Sequence, residues 1–130
     1  MFSHVMVGSN DIARSKAFYD ALFAVLGAGA GRQDDKGRVV YAHDGALFMI
    51  SRPIDGAPAC HANGGTIGFR MSGPEQATAW HDAGVANGGT AIEDAPGVRT
   101  SPFGQLFLAY LRDPDGNKLC GAYRVPARAS

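Results

Sequence analysis

His4-Val5-Met6-Val7, followed by Asn10-Asp11 and a helix-like run carrying Phe18, is answered later in the chain by Thr66-Ile67-Gly68-Phe69, then Ser72-Gly73-Pro74 and a second run carrying Trp80. The ends of the two stretches match as well. His43-Asp44-Gly45 before Ala46 to Met49 corresponds to Pro114-Asp115-Gly116 before Asn117 to Cys120. The chain is one unit written twice, the second copy longer before its last strand. Such a repeat predicts two similar modules sharing a cavity, and the positions facing that cavity are where chemistry is sought.

Val5 and Val7 alternate with His4 and Met6, and Ile67, Phe69 and Met71 alternate with Thr66, Gly68 and Arg70. That is the period of strands whose two faces differ. Ile12, Phe18, Leu22, Val25 and Leu26 then recur at helical spacing, with Asn10 or Asp11 as cap and Gly27 as terminator, which predicts a helix over 11–26. A second helix over 74–85 carries Ala77, Trp80 and Val85, with Pro74 suited to its first turn. Three strands are expected after each helix, near 30–33, 38–42 and 46–51, then near 91–93, 105–111 and 118–123. Helices over Val5, Val7, Ile67 and Phe69 bury these with Phe18, Leu22 and Trp80. The opposite faces are left to His4, Met6, Leu47, Met49, Thr66, Gly68, Arg70, Lys118, Cys120 and Ala122.

A chain of 130 residues suits a single cooperative domain, since two half-domains of this size cannot bury their sheets separately. Twelve Lys plus Arg balance twelve Asp plus Glu without a long run of one sign, so nucleic acid is not an expected partner. The start Met1-Phe2-Ser3-His4-Val5 has no basic leader or long apolar run, and no stretch approaches the roughly 20 apolar residues of a membrane span. Cys60 and Cys120 form neither a CxxC pair nor a disulfide framework, which suits a reducing cytoplasm. Glycine and proline concentrate at turns; 52–65 is the linker between halves, and the tail 125–130 is expected to fray.

With its duplication, its helix start Asn10-Asp11 to Phe18-Tyr19, Gly65-Thr66-Ile67-Gly68-Phe69 and above all Arg112-Asp113-Pro114-Asp115-Gly116-Asn117, the chain resembles the vicinal oxygen chelate superfamily over nearly its whole length. That superfamily includes lactoylglutathione lyase, bleomycin-resistance proteins, fosfomycin-modifying enzymes and extradiol dioxygenases. The resemblance implies an α+β fold of two βαβββ modules forming an open barrel-like cavity, within one glyoxalase-like domain over 1–130. Module one is expected at about 1–60 and module two at about 64–125. It also implies a homodimer.

In the family each half supplies one metal ligand from its first strand and one from its last. The matching slots hold His4, Met49, Thr66 and Cys120. Only His4 is a standard ligand, since thioether and hydroxyl are poor partners for hard or borderline cations. Adding a Cys120 thiolate still leaves fewer than the three or four ligands of a stable site. No cofactor is therefore expected, the alternative being a divalent metal held through His4, His61 and Cys120.

His4 is either a cavity-facing acid, base or donor, or a half-buried histidine with satisfied nitrogens. His61 either reaches the mouth of the cavity or faces solvent; His43 and His81 are expected at the surface. Cys120 is a nucleophile if a cation lowers its pKa, and otherwise an inert core residue. Met6, Leu47 and Met49 are either an adaptable apolar wall or filler. Arg70 either clamps a carboxylate or phosphate beside Thr66 or pairs with an Asp at the rim. Glu75 and Glu93 fall outside the ligand slots, so paired-carboxylate catalysis has no support. The expected function is that of a glyoxalase/bleomycin-resistance-like protein binding a small, partly apolar organic molecule without metal. The alternatives are a metal-dependent lyase or dioxygenase of the same superfamily, and a regulatory or immunity-type dimer without catalysis.

Overall fold

A computed structural model of the chain describes residues 1–127. The first copy folds as β1 (His4–Gly8), α1 (Ile12–Ala24), β2 (Arg32–Gln33), β3 (Val39–His43) and β4 (Ala46–Ser51). The second folds as β5 (Ile67–Arg70), α2 (Pro74–Ala86), β6 (Thr90–Ala91), β7 (Gly97–Ser101), β8 (Gly104–Arg112) and β9 (Lys118–Arg124). The sheets run β1-β4-β3-β2 and β5-β9-β8-β6, with β7 also on β8. In each, the first strand lies parallel to the last and at a sheet edge, so the duplication gives two open sheets and no closed barrel.

The second copy holds one strand more than its sequence pattern predicts. Residues 97–101 pair with β8 from Gly97↔Leu108 to Ser101↔Gly104. Pro96 and Pro102 bracket this segment, and such residues ordinarily mark loops. In the segment expected to fray, the Val125 N–H donates to Gln105 O at 3.0 Å, while 128–130 lie outside the described residues.

The helices begin in different ways. Asp11, in extended conformation, accepts the Arg14 N–H at 3.0 Å and caps α1. Gly73 offers α2 no side-chain cap; instead Pro74 fills the first turn, and Gln76 reaches back to accept the Ser72 N–H at 2.7 Å. The two helices pack together across the modules. A Cβ on Gly84 would sit 2.3 Å from Leu111 Cδ1 and 3.2 Å from Leu22 Cδ1, so only glycine permits this approach.

One core serves both modules. Phe18, Tyr19, Leu22, Ile50, Trp80, Leu111 and Leu119 are completely buried, and a chain of rings joins Tyr19, Phe23 and Phe48 to Phe69 and Trp80. Of the seven residues expected in this core, Val7, Phe18, Leu22 and Trp80 are buried, whereas Val5, Ile67 and Phe69 are only half-buried. His81, expected at the surface, is buried. It shares the inward face of α2 with Ala77, Trp80 and Gly84, at the spacing of successive helical turns. Among the described residues no helix is long and apolar enough to cross a membrane.

Candidate functional site

Each sheet has a helix side and an outward side, and strand alternation sets which residues reach the latter. In module one, register places His4 beside Leu47 and Ala42, and Met6 beside Met49 and Val40. Met6 and Leu47 are 44% and 40% exposed, unusual for large apolar side chains in mid-strand. His4 is exposed, its Nδ1 2.8 Å from Ser3 Oγ.

In module two, Gly68, Cys120 and Tyr110 form one row of that face, and Arg70, Ala122 and Leu108 form the next. Lys118 ion-pairs with Glu93 and lies 5.0 Å over the Tyr110 ring. Burial, reinforced by the Glu93 charge against the opposing pull of Tyr110, Lys118 and Arg99, pushes the Cys120 thiol up. The thiol form is therefore favoured near neutral pH, which disfavours a nucleophilic role. Arg70 is exposed and takes part in none of the ion pairs among the described residues, so the rim partner considered for it is absent there. Tyr110 escaped the sequence reading, and Glu93, set aside there as outside the ligand slots, sits at a φ of 58° and pairs with Lys118.

The Asp113–Asn117 motif has a structural task. Asp113, 3% exposed, accepts the Asp115 and Asn117 N–H groups on Oδ1 at 2.9 Å. Its Oδ2 accepts the Tyr19 hydroxyl at 2.6 Å and Asn117 Nδ2 at 2.8 Å. Asp115 reaches module one directly, accepting from Asn10 N, Arg14 Nη2 and Ser15 Oγ, each at 3.0 Å. The β8–β9 turn thus clasps the start of α1. His61 belongs to this region. It packs over Gly116, where a Cβ would lie 3.1 Å from its ring.

A cavity of about 250 Å³ opens where the edge strands β1 and β5 approach the end of α1. His4 and Leu47 line it with Gly68, but Met6, Met49, Thr66, Arg70 and Cys120 do not. Met6 instead borders a separate hollow with Arg52, Pro53 and Ile54. The cavity's other walls, including Phe23, Tyr41 and Phe48, follow the core pattern in sequence, and nothing in that pattern marks them as lining a void.

Residues 1–120 match the profile of the Glyoxalase/Bleomycin resistance protein/Dioxygenase superfamily. The chain belongs to that superfamily. A glyoxalase/bleomycin resistance protein from Albidiferax ferrireducens T118 is 54% identical, with a TM-score of 0.92 over 95% of this chain and 99% of that one. A putative glyoxalase from Bacillus halodurans shares the fold at 18% identity, with a TM-score of 0.74 over 95% of each chain. No curated protein matches.

Superfamily membership raises the question of a metal, and the donor set answers poorly. The slots hold one imidazole, a thioether, a hydroxyl and a thiol, fewer suitable donors than the three or four of a stable site. Among the described residues no group of three or more His, Cys, Asp and Glu side chains is arranged to hold an ion. These residues do not fit a superfamily-type metal.

Proposed function

We propose that this superfamily member binds a small, partly apolar organic anion on the outward faces of its sheets without a resident metal, and that it works as a homodimer. The observation that carries this reading is the exposed apolar surface of Met6 and Leu47 beside His4, in a sheet whose other side is packed. Large apolar side chains left open in mid-strand mark a surface that a ligand or partner covers. Arg70, exposed and without an ion-pair partner among the described residues, supplies the charge; Met6, Leu47 and Met49 supply the apolar contact. A closed two-fold dimer is the commonest way to cover such faces.

Native mass spectrometry with elemental analysis tests the reading, because it reports subunit count, bound molecule and metal together. The expected result is a dimer with a small organic molecule and no stoichiometric zinc, nickel, iron or manganese. Arg70→Ala should weaken that molecule's binding by roughly 2 to 5 kcal/mol in calorimetry, with Arg70→Lys rescuing only in part. Near-equimolar metal that disappears in His4→Ala would instead support a metal-dependent lyase or dioxygenase of the same superfamily.

A further inference from the structure

Val5, Ile67 and Phe69 point to the helix side and pack against the core, yet remain half-buried. All three line the 250 Å³ cavity, which explains their exposure: the shared core is not filled where the two edge strands approach. We propose that this void, which shares His4 and Leu47 with the outward face of module one but reaches in to the helix side, is a second binding site, and that it takes an uncharged single-ring molecule bearing one hydroxyl, such as a phenol.

Size sets the first limit. An apolar cavity of about 150 Å³ holds benzene, and drug-sized ligands occupy roughly 300 to 1,000 Å³. A volume of 250 Å³ lies between the two and admits one ring with a short substituent. Wall chemistry sets the second. Phe23, Tyr41, Phe48 and Phe69 contribute rings, and among the described residues no Lys, Arg, Asp or Glu lines the space, so a charged ligand would find no fixed counter-charge on its walls. The Tyr41 hydroxyl is turned away, donating to Asp20 at 2.7 Å, which leaves the ring as wall.

A polar handle stands at the margin. Alternation along β3 puts His43 on the same side as Val39 and Tyr41, and it lines the cavity half-buried. Its Nε2 lies 3.4 Å from the exposed Asp44 carboxylate. This pair repels an anion through Asp44, while the imidazole can exchange a hydrogen bond with a neutral hydroxyl.

The test titrates phenol, benzene and benzoate into the full chain and follows its aromatic NMR signals. Phenol and benzene should bind saturably, with contacts from ligand protons to the Phe23, Phe48 and Phe69 rings. Benzoate should bind at least about tenfold more weakly, because its charge would be buried unpaired. Ala28→Leu, which fills the wall, should weaken phenol by about tenfold. His43→Ala should weaken phenol severalfold and leave benzene unchanged. Arg70→Ala should change neither, which separates this site from the outward faces. If Ala28→Leu does not fold, the ligand-to-ring contacts in the unaltered chain decide. Absence of saturable binding, benzoate binding as tightly as phenol, or contacts confined to Met6 and Met49 would each overturn the proposal. Equal phenol affinity in His43→Ala would overturn the assigned handle.

Discussion

The two copies of the module end in corresponding turns that have gone separate ways. In module one, His43-Asp44-Gly45 is a tight connection whose Asp44 side chain is 89% exposed and lies 3.4 Å from His43 Nε2. In module two, the Asp113–Asn117 turn buries its first carboxylate beneath four hydrogen bonds and extends its second into the other module. Both satisfy the same local demand for a reversal before the last strand. Only the second is also a joint. A repeat seen in sequence therefore predicts equivalent backbones, not equivalent energetics, since the difference lies in what each turn meets across the module boundary.

The comparison breaks if the two turns respond alike to substitution. Asp113→Ala should cost about 3 to 5 kcal/mol in chemical denaturation, because it strands the buried Tyr19 hydroxyl and the buried Asn117 donors together, at about 1 to 3 kcal/mol for each unsatisfied group. A loss below about 1 kcal/mol would remove the clasp from the account of stability.

Alkaline titration sharpens it next. Tyr19 is raised well above its ordinary value by burial and then by Asp113, and Tyr41 is raised by burial and its bond to Asp20. Unfolded tyrosine titrates near about pH 10, so below that value the contribution of both groups is fully present. Above it the unfolded chain releases protons that the folded chain keeps. Stability should then fall by about 1.4 kcal/mol per pH unit for each tyrosine. Denaturation curves at about pH 9 and about pH 11 measure the slope, and Tyr19→Phe should make it shallower.

At neutral pH the same Tyr19→Phe change should cost about 1.5 to 3 kcal/mol, one buried bond to a carboxylate. Smallest of all, Asp44→Ala should stay within about 0.5 kcal/mol, as for an exposed side chain without buried partners. Arg14→Ala, which removes a half-exposed partner of Asp115, should cost under about 1 kcal/mol.

Much of the fold was legible because alternation at Val5, Val7, Ile67 and Phe69 is local, as is the helical spacing from Ile12 to Leu26. The strand at 97–101 was not, because it exists by pairing with Leu106 and Leu108 and carries little apolar signal of its own. His81 was misjudged by residue type, although its place four positions after Ala77 and three before Gly84 already set it on the inward face of α2. The candidate site was legible in part. Alternation named the outward residues of each sheet, but it does not determine how the sheets meet. The cavity that His4 shares with Phe23 and Phe69 is a product of that meeting. His61 illustrates the same limit, since its packing over Gly116 depends on where the second module's turn lands.

The clasp also orders events in time. Asn10 and Asp115 are 105 positions apart, so the first helix is made well before the carboxylates that anchor its start. At synthesis rates of roughly 5 to 20 residues per second, that helix waits for seconds with Tyr19 and Ser15 unanchored. Until the second turn leaves the ribosome, the early half has its own strands but lacks the lock on its helix. The duplicated architecture therefore makes the nascent chain's first module dependent on its second, and a pause in translation before Asp113 would leave the aromatic cluster around Tyr19 exposed for longer.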